Sequence, residues 1–236
     1  MSLCRKEIEM RTRVYAWLSL LLVLLALPWI STSAETQVYR SVETDTKKIA
    51  LTFDDGPHPT LTPRILEILK KYDVKATFFM VGENVVNYPE SARSVVQAGH
   101  EIGNHTYSHR HVSGMNEDTL KKELALCEDA LFELCEYRTH LFRPPEGAVT
   151  QCVERCTEAG DYALILWSLD TRDWENKRTD RIVDAVINHI RPGDIILMHD
   201  YIGVKSKTPE ALEILLPELL RRGYEPVTVS ELLGIR

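Results

Sequence analysis

Five short clusters carry side chains suited to metal-binding and acid–base chemistry: "TFDDG" at 52–56, "HTYSH" at 105–109, "RPPEG" at 143–147, "DTRDW" at 170–174 and "IILMHD" at 195–200. His105 and His109 are four apart, so one helical turn presents both imidazoles on the same side. Two histidines and a carboxylate make the common ligand set of a catalytic metal with an open position. Asp54 and Asp55 are the candidates for that carboxylate. Neighbouring side chains diverge on an extended backbone, so one could ligate while the other reaches a bound water from a different direction. Read alone, the same stretches also suit two surface histidines and an Asx-type turn before Gly56-Pro57. His111, at an odd spacing, is expected to be a bystander.

What must position these clusters is an alternation of short β-prone runs and amphipathic helices. Runs at 48–53, 74–80, 100–103, 140–142, 162–167, 194–198 and 224–227 predict seven strands. Between them, "LTPRILEILKKY", "PESARSVVQAG", "EDTLKKELALCEDALFEL", "RIVDAVINHI" and "EALEILLPELLRR" read as helices. This alternation predicts an α/β fold with parallel strands and crossover helices. The strand count suits a small, partly open β/α barrel, and no glycine-rich dinucleotide fingerprint follows the first strand. All five clusters fall at C-terminal strand ends, where such barrels build their sites. Five together are hard to explain as solvated loops.

The 236-residue chain suits one medium domain with a short N-terminal appendage. Arg5, Lys6, Arg11 and Arg13 precede "VYAWLSLLLVLLALPWI", an uncharged run at 14–30 that would be about 26 Å long as a helix. Thr32 and Ala34 then fit cleavage after Ala34. Residues 1–34 are thus expected to be a signal peptide or a retained membrane anchor. Their basic flank places the N-terminus in the cytoplasm and the body outside. Residues 35–46 are expected to be a linker and 47–236 the functional domain. Without residues 1–34 the body has 24 basic and 33 acidic residues, a net charge of −9. That balance argues against nucleic acid and fits a neutral ligand such as an acetylated sugar chain. Cys127, Cys135, Cys152 and Cys156 lie in the exported part, where one or two disulfides are expected; their spacing matches no zinc ribbon.

In their order, the five clusters resemble the five motifs of the polysaccharide deacetylase family (the NodB-homology or carbohydrate esterase family 4 domain) over residues 46–234. The resemblance implies a distorted, partly open β/α barrel and metal-dependent hydrolysis of N-acetyl, sometimes O-acetyl, groups on polysaccharides. It implies that Asp55, His105 and His109 hold a divalent metal, commonly zinc, and that Asp54 is the general base. A metal lowers the pKa of bound water from 15.7 to about 7, which suits proton removal by an adjacent carboxylate. Arg143 matches the residue that ion-pairs with the base, His199 the acid that protonates the leaving amine, and Asp170 the carboxylate that orients His199. Asp173 is left as a second support of the same network. The main-chain N–H of Glu146 matches an oxyanion donor, and Trp174, Ile196 and Met198 match an apolar wall around the acetyl methyl. The chain departs from the family pattern at Glu146, where many relatives carry an aromatic; the substitution places a negative charge in the sugar groove.

These matches imply an exported N-deacetylase of GlcNAc-type polymers, peptidoglycan or chitin-like oligosaccharides, acting as a monomer. Its other partner would be the membrane if the N-terminal helix is retained. An O-acetyl esterase acting on xylan or another acetylated glycan, or a noncatalytic glycan-binding protein on the same fold, are the alternatives. A binding module has no need of base, acid and metal ligands together.

Overall fold

The computed structural model describes residues 36–175, 178–201 and 206–235. The expected signal peptide or anchor at 1–34 lies outside them. Among the described residues, no helix is long and apolar enough to cross a membrane.

Among the described residues nine strands form one sheet, and every named ladder in it is parallel. In chain order they are β1 (Val38–Tyr39), β2 (Lys48–Asp54), β3 (Thr77–Met80), β4 (Glu101–Asn104), β5 (Leu141–Phe142), β6 (Ala163–Ile165), β7 (Leu169–Asp170), β8 (Ile195–His199) and β9 (Glu225–Val227). Their spatial order is β1-β6-β5-β4-β3-β2-β8-β7, with β9 alongside the start of β2. No ladder among the described residues joins β1 to β7, so the barrel stays open between those edges. The expected open β/α barrel is the architecture found.

The helices are α1 (Leu61–Lys71), α2 (Gly82–Asn87), α3 (Pro89–Gln97), α4 (Glu117–Cys135), α5 (Gln151–Ala159), α6 (Thr179–Ile187), α7 (Thr208–Arg221) and α8 (Val229–Leu233). Their amphipathic spacing explains how they cover the sheet. On α1, Leu61, Ile65, Leu66, Ile68 and Leu69 are buried on one stripe while the basic residues stay outside. On α4, the Asn116 side chain caps the Thr119 N–H, and Glu136, in the left-handed region at φ 53°, ends the helix.

Two-residue periodicity sorts the strand side chains into two layers. Leu51, Phe53, Phe78, Met80, Ile196 and Met198 pack outward with α1 and α7 residues in the main core. Ala50, Phe79, Leu141, Ile165 and Ile195 pack in the barrel interior. Strands covered on both sides read as near-continuous apolar runs, which is why "KIALTF" and "IILM" carry no polar alternation except at their ends.

All seven expected strands exist, and two more appear. One lies in the stretch expected to be a linker: Val38 and Tyr39 pair with Leu164 and Ile165, and the Val42 N–H donates to the Gly193 carbonyl at 2.9 Å. Edge strands of two residues bury too little of a face to show a hydrophobic period. The expected disulfides are also absent. Cys127, Cys135, Cys152 and Cys156 are free thiols, and burial pushes the Cys156 thiol up to about 11.

Candidate active site

The ladder register sets Asp54 of β2 directly beside His199 of β8 and beside Phe79 of β3. His105 follows the last residue of β4, and Arg143 follows the last residue of β5. The C-terminal ends of four strands thus deliver four of the polar side chains. They face a cleft of about 510 Å³ bordered by Asp54, Asp55, His105, His109, Glu146, Trp167, Asp170, Trp174, Leu197 and His199. A larger depression of about 980 Å³ lies at the opposite, N-terminal strand ends, between 41–45 and 189–194. It gathers none of the five clusters, and chemistry rather than size identifies the site.

Asp55 stands in the left-handed region at φ 74°, which turns its carboxylate away from the strand direction. Its Oδ1 lies 3.4 Å from His105 Nε2 and 3.0 Å from His109 Nε2. The donor atoms of Asp55, His105 and His109 all fall within 4.8 Å of one another. His105 Nδ1 is 2.6 Å from the Arg143 carbonyl, which can only accept, so the proton sits on Nδ1 and Nε2 is left with its lone pair. Two imidazoles, one with its tautomer set, and one carboxylate fit a divalent cation with open coordination positions. Burial acts to raise the Asp55 carboxyl, but the two imidazoles of His105 and His109 beside it outweigh burial and hold it well below the usual carboxylate range. The hydrogen bond to Asp55 raises His109 against the opposing effect of burial.

On the inner side, Asp54 is buried and Arg143 fully so. Arg143 Nη1 donates to Asp54 Oδ1 at 2.6 Å and to Thr52 Oγ1 at 2.8 Å. Its Nη2 donates to the Leu166 carbonyl at 2.9 Å and its Nε to the Ile165 carbonyl at 3.3 Å. The guanidinium lies over the Phe79 ring, 4.0 Å from its centroid. Burial pulls the Arg143 pKa down and the Asp54 charge opposes it. With Oδ1 held, Asp54 presents Oδ2 to the site, 3.8 Å from His105 Nε2.

On the other side stands His199, and here two expectations are corrected. Its Nδ1 partner is Asp173 Oδ1 at 2.7 Å, not Asp170. Asp173 Oδ2 also accepts the His199 N–H at 2.9 Å and the Thr208 hydroxyl at 2.6 Å. The backbone turns sharply after β7, with Arg172 at φ 54°, and a 3₁₀ turn at Asp173–Glu175 carries Asp173 back to the end of β8. Asp170 borders the cleft and accepts the Arg172 N–H at 2.7 Å. Burial lowers His199, but the Asp173 hydrogen bond and the Asp173, Asp54 and Asp55 charges together raise it to about 9.

The second correction is the apolar wall. Ile196 and Met198 are fully buried in the outward core, because they alternate with the residues that face the cleft. Leu197, on the same face as His199, lines it instead, with Trp167 and Trp174. Trp174 is 47% exposed at the mouth, where an aromatic ring can meet a sugar.

Glu146 also sits at the mouth, at φ 58° within the 3₁₀ turn Pro145–Gly147. Its carboxylate pairs with His111 Nε2 at 2.6 Å, so the expected bystander is the partner of the charge that departs from the family pattern. Sequence reasoning missed Thr52, Thr208, Leu197 and Trp167, whose side chains single out no chemistry by type. It also passed over Asp200, whose carboxyl burial pushes up to about 7; its position beside His199 was the available signal.

Comparison with known proteins agrees with this geometry. A family model described as polysaccharide deacetylase matches residues 41–164. A peptidoglycan-N-acetylglucosamine deacetylase of Bacillus cereus is 42% identical over 194 residues, covering 81% of this chain and 91% of that protein. A chitooligosaccharide deacetylase of Bradyrhizobium is 38% identical over 192 residues, covering 76% of this chain and 88% of its own length. The crystal structure of the Bc1960 peptidoglycan N-acetylglucosamine deacetylase superposes with a TM-score of 0.82 at 34% identity, covering 84% of this chain and 94% of that one. With the fold, the motif order and these matches in agreement, the chain belongs to the polysaccharide deacetylase family.

Proposed function

We propose that this chain is an exported, divalent-metal-dependent hydrolase that removes N-acetyl groups from N-acetylglucosamine in peptidoglycan, releasing acetate. The observation that carries the reading is convergence: the Asp55, His105 and His109 triad shares one cleft with an Arg143-held carboxylate, Asp54, and an Asp173-held imidazole, His199. The similarity to a peptidoglycan-N-acetylglucosamine deacetylase supports the substrate, and the similarity to a chitooligosaccharide deacetylase favours chitin-like oligomers as a second substrate on the same site.

Asp55, His105 and His109 would hold a divalent cation, zinc being the proposed ion, which would supply Lewis acidity to acidify water and polarise the acetamide carbonyl. Asp54 Oδ2 takes the proton from water as its oxygen attacks that carbonyl. The Glu146 N–H donates to the developing oxyanion. His199 enters protonated, its Nδ1–H held by Asp173, and Nε2 gives its proton to the departing amine. Leu197, Trp167 and Trp174 enclose the acetyl methyl and the sugar face.

Acetate release from peptidoglycan, chito-oligomers and acetylxylan, measured with chelator and with added Zn²⁺, tests the proposal. Chelator-sensitive release from the N-acetylated polymers is expected. Release that survives metal removal would overturn the mechanism, and acetylxylan as the only substrate would overturn the substrate class in favour of an O-acetyl esterase.

The His199–Asp173 pair makes a separate prediction about pH. Asp173 raises His199, so His199 holds its proton through neutral pH and loses it near pH 9. In Asp173→Asn the raising carboxylate is gone, so the alkaline limb of the kcat profile is expected to move to lower pH, with kcat at pH 8 falling about ten-fold or more. An unmoved alkaline limb would remove His199 from the acid role. Asp170→Asn should leave that limb in place.

A further inference from the structure

Behind the turn that carries Asp54 and Asp55 lies a carboxyl that the proposed reaction does not use. Asp200 is fully buried. Its Oδ2 is 2.5 Å from Thr62 Oγ1 on the first turn of α1. Thr62 Oγ1 in turn accepts the His58 N–H at 2.7 Å. The Asp200 N–H donates to the Asp54 carbonyl at 3.1 Å. The carboxyl is seated against Gly56: a Cβ built on Gly56 would lie 2.2 Å from Asp200 Oδ2 and 2.3 Å from Oδ1. Oδ1 is buried with no hydrogen-bond partner among the described residues, so the carboxyl is held here by the fit against Gly56 and by one hydroxyl.

The rest of the turn is tied on its other side. The Asp55 carbonyl accepts Asn84 Nδ2 at 2.7 Å, and the Gly56 carbonyl accepts the Val81 N–H at 2.8 Å. Residues 54–58 are therefore clamped between the start of α2 and the Asp200–Thr62 pair. Asp55 occupies φ 74°, a conformation that a non-glycine residue holds only when its surroundings impose it. A missing Cβ at Gly56, a carboxyl filling that space and a threonine bridging it to the far end of the turn form one fitted unit.

We infer that Asp200 is a positioning residue for the metal triad: with Thr62 and the bare backbone of Gly56 it locks the 54–58 turn so that the Asp55 carboxylate stays aimed at His105 and His109. The inference rests on reading that triad as the metal site. Asp200 touches neither substrate nor metal, and its effect runs through the backbone of Asp54–His58.

Zinc affinity, measured by competition with a chromophoric chelator on the full chain, tests this without reference to turnover. Wild type binding zinc and His105→Ala losing it establishes the triad as the site; wild type failing to bind would overturn that reading and this inference with it. Asp200→Ala is expected to weaken zinc binding about ten-fold or more, in the range seen for groups that orient ligands. Gly56→Ala, whose methyl would meet the carboxyl, should weaken it comparably. The double variant should be no weaker than either single one, since removing the carboxyl makes room for the methyl. Thr62→Val, which keeps the shape and removes both hydrogen bonds, supplies the same test should Asp200→Ala not fold. Leu212→Ala, a buried core change on α7, controls for general loosening and should leave affinity unchanged. Unaltered affinity in folded Asp200→Ala or Thr62→Val, full additivity in the double variant, or an equal loss in Leu212→Ala would overturn the assignment.

Discussion

Replacing Asp54 by Asn is expected to lower kcat for acetate release by about 10³-fold, roughly 4 kcal/mol of transition-state stabilisation. The geometry assigns the loss to one atom. Oδ1 is engaged by Arg143 at 2.6 Å, so the amide oxygen would keep that contact. The amide nitrogen would then stand where Oδ2 now faces His105 and the triad, and an amide nitrogen cannot take a proton from water. Zinc affinity should change far less than kcat, because Asp55 rather than Asp54 joins the two histidines. Single-turnover acetate release and chelator competition on the same preparation separate the two effects. A variant that keeps more than a tenth of wild-type kcat would show that Asp54 is not the base.

Arg143 carries the second large effect, and it is one of stability as well as chemistry. Among the described residues its guanidinium satisfies Asp54, Thr52 and the carbonyls of Ile165 and Leu166 in a fully buried position. Arg143→Leu would leave a buried carboxylate without its charge partner and two buried carbonyls without these donors. The expected cost is about 3–5 kcal/mol of unfolding free energy. Arg143→Lys should recover only part of it, since a single ammonium cannot reproduce the planar fork that reaches a carboxylate on one edge and carbonyls on another. Denaturant unfolding of the three proteins measures this. Equal midpoints for wild type and Arg143→Leu would mean that the pair contributes nothing to the fold. The double role follows from placement: the residue that holds Asp54 also plugs the top of the barrel interior.

Glu146 shows how a change at the mouth can spare the paired residues deeper in the site. Its side chain points to His111 and is 60% exposed, whereas the proposed oxyanion donor is its main chain. The Glu146 charge also acts on His109, which it helps to raise, while Asp54, Arg143, His199 and Asp173 take their hydrogen bonds from other residues.

Much of the fold and site was legible because it is local in sequence. Each metal-ligating or acid–base candidate lies at a strand's C-terminal end or a few residues beyond it, and β/α topology puts those strand ends at one end of the barrel. Asp54, Asp55, His105, His109, Arg143 and His199 could be placed from that rule together with motif order. Failures came where the backbone departs from regular extension. Motif match alone selects Asp170 over Asp173, and the turn at Arg172 reverses the choice. Assigning Ile196 and Met198 to the wall ignored the strand parity that His199 itself sets, which selects Leu197. The short strand at Val38–Tyr39 depends on a partner distant in the chain.

The sequence by itself determined the class of fold, the order of the motifs and the chemical types at each strand end, since these follow from periodicity and residue identity. Only the tertiary structure decided which carboxylate meets which imidazole, and what seats the two aspartates of the DDG turn. Those pairings depend on angstrom-scale backbone turns such as φ 74° at Asp55 and on packing such as Asp200 against Gly56. Such turns are set by neighbours from other strands, which residue spacing along one strand does not encode.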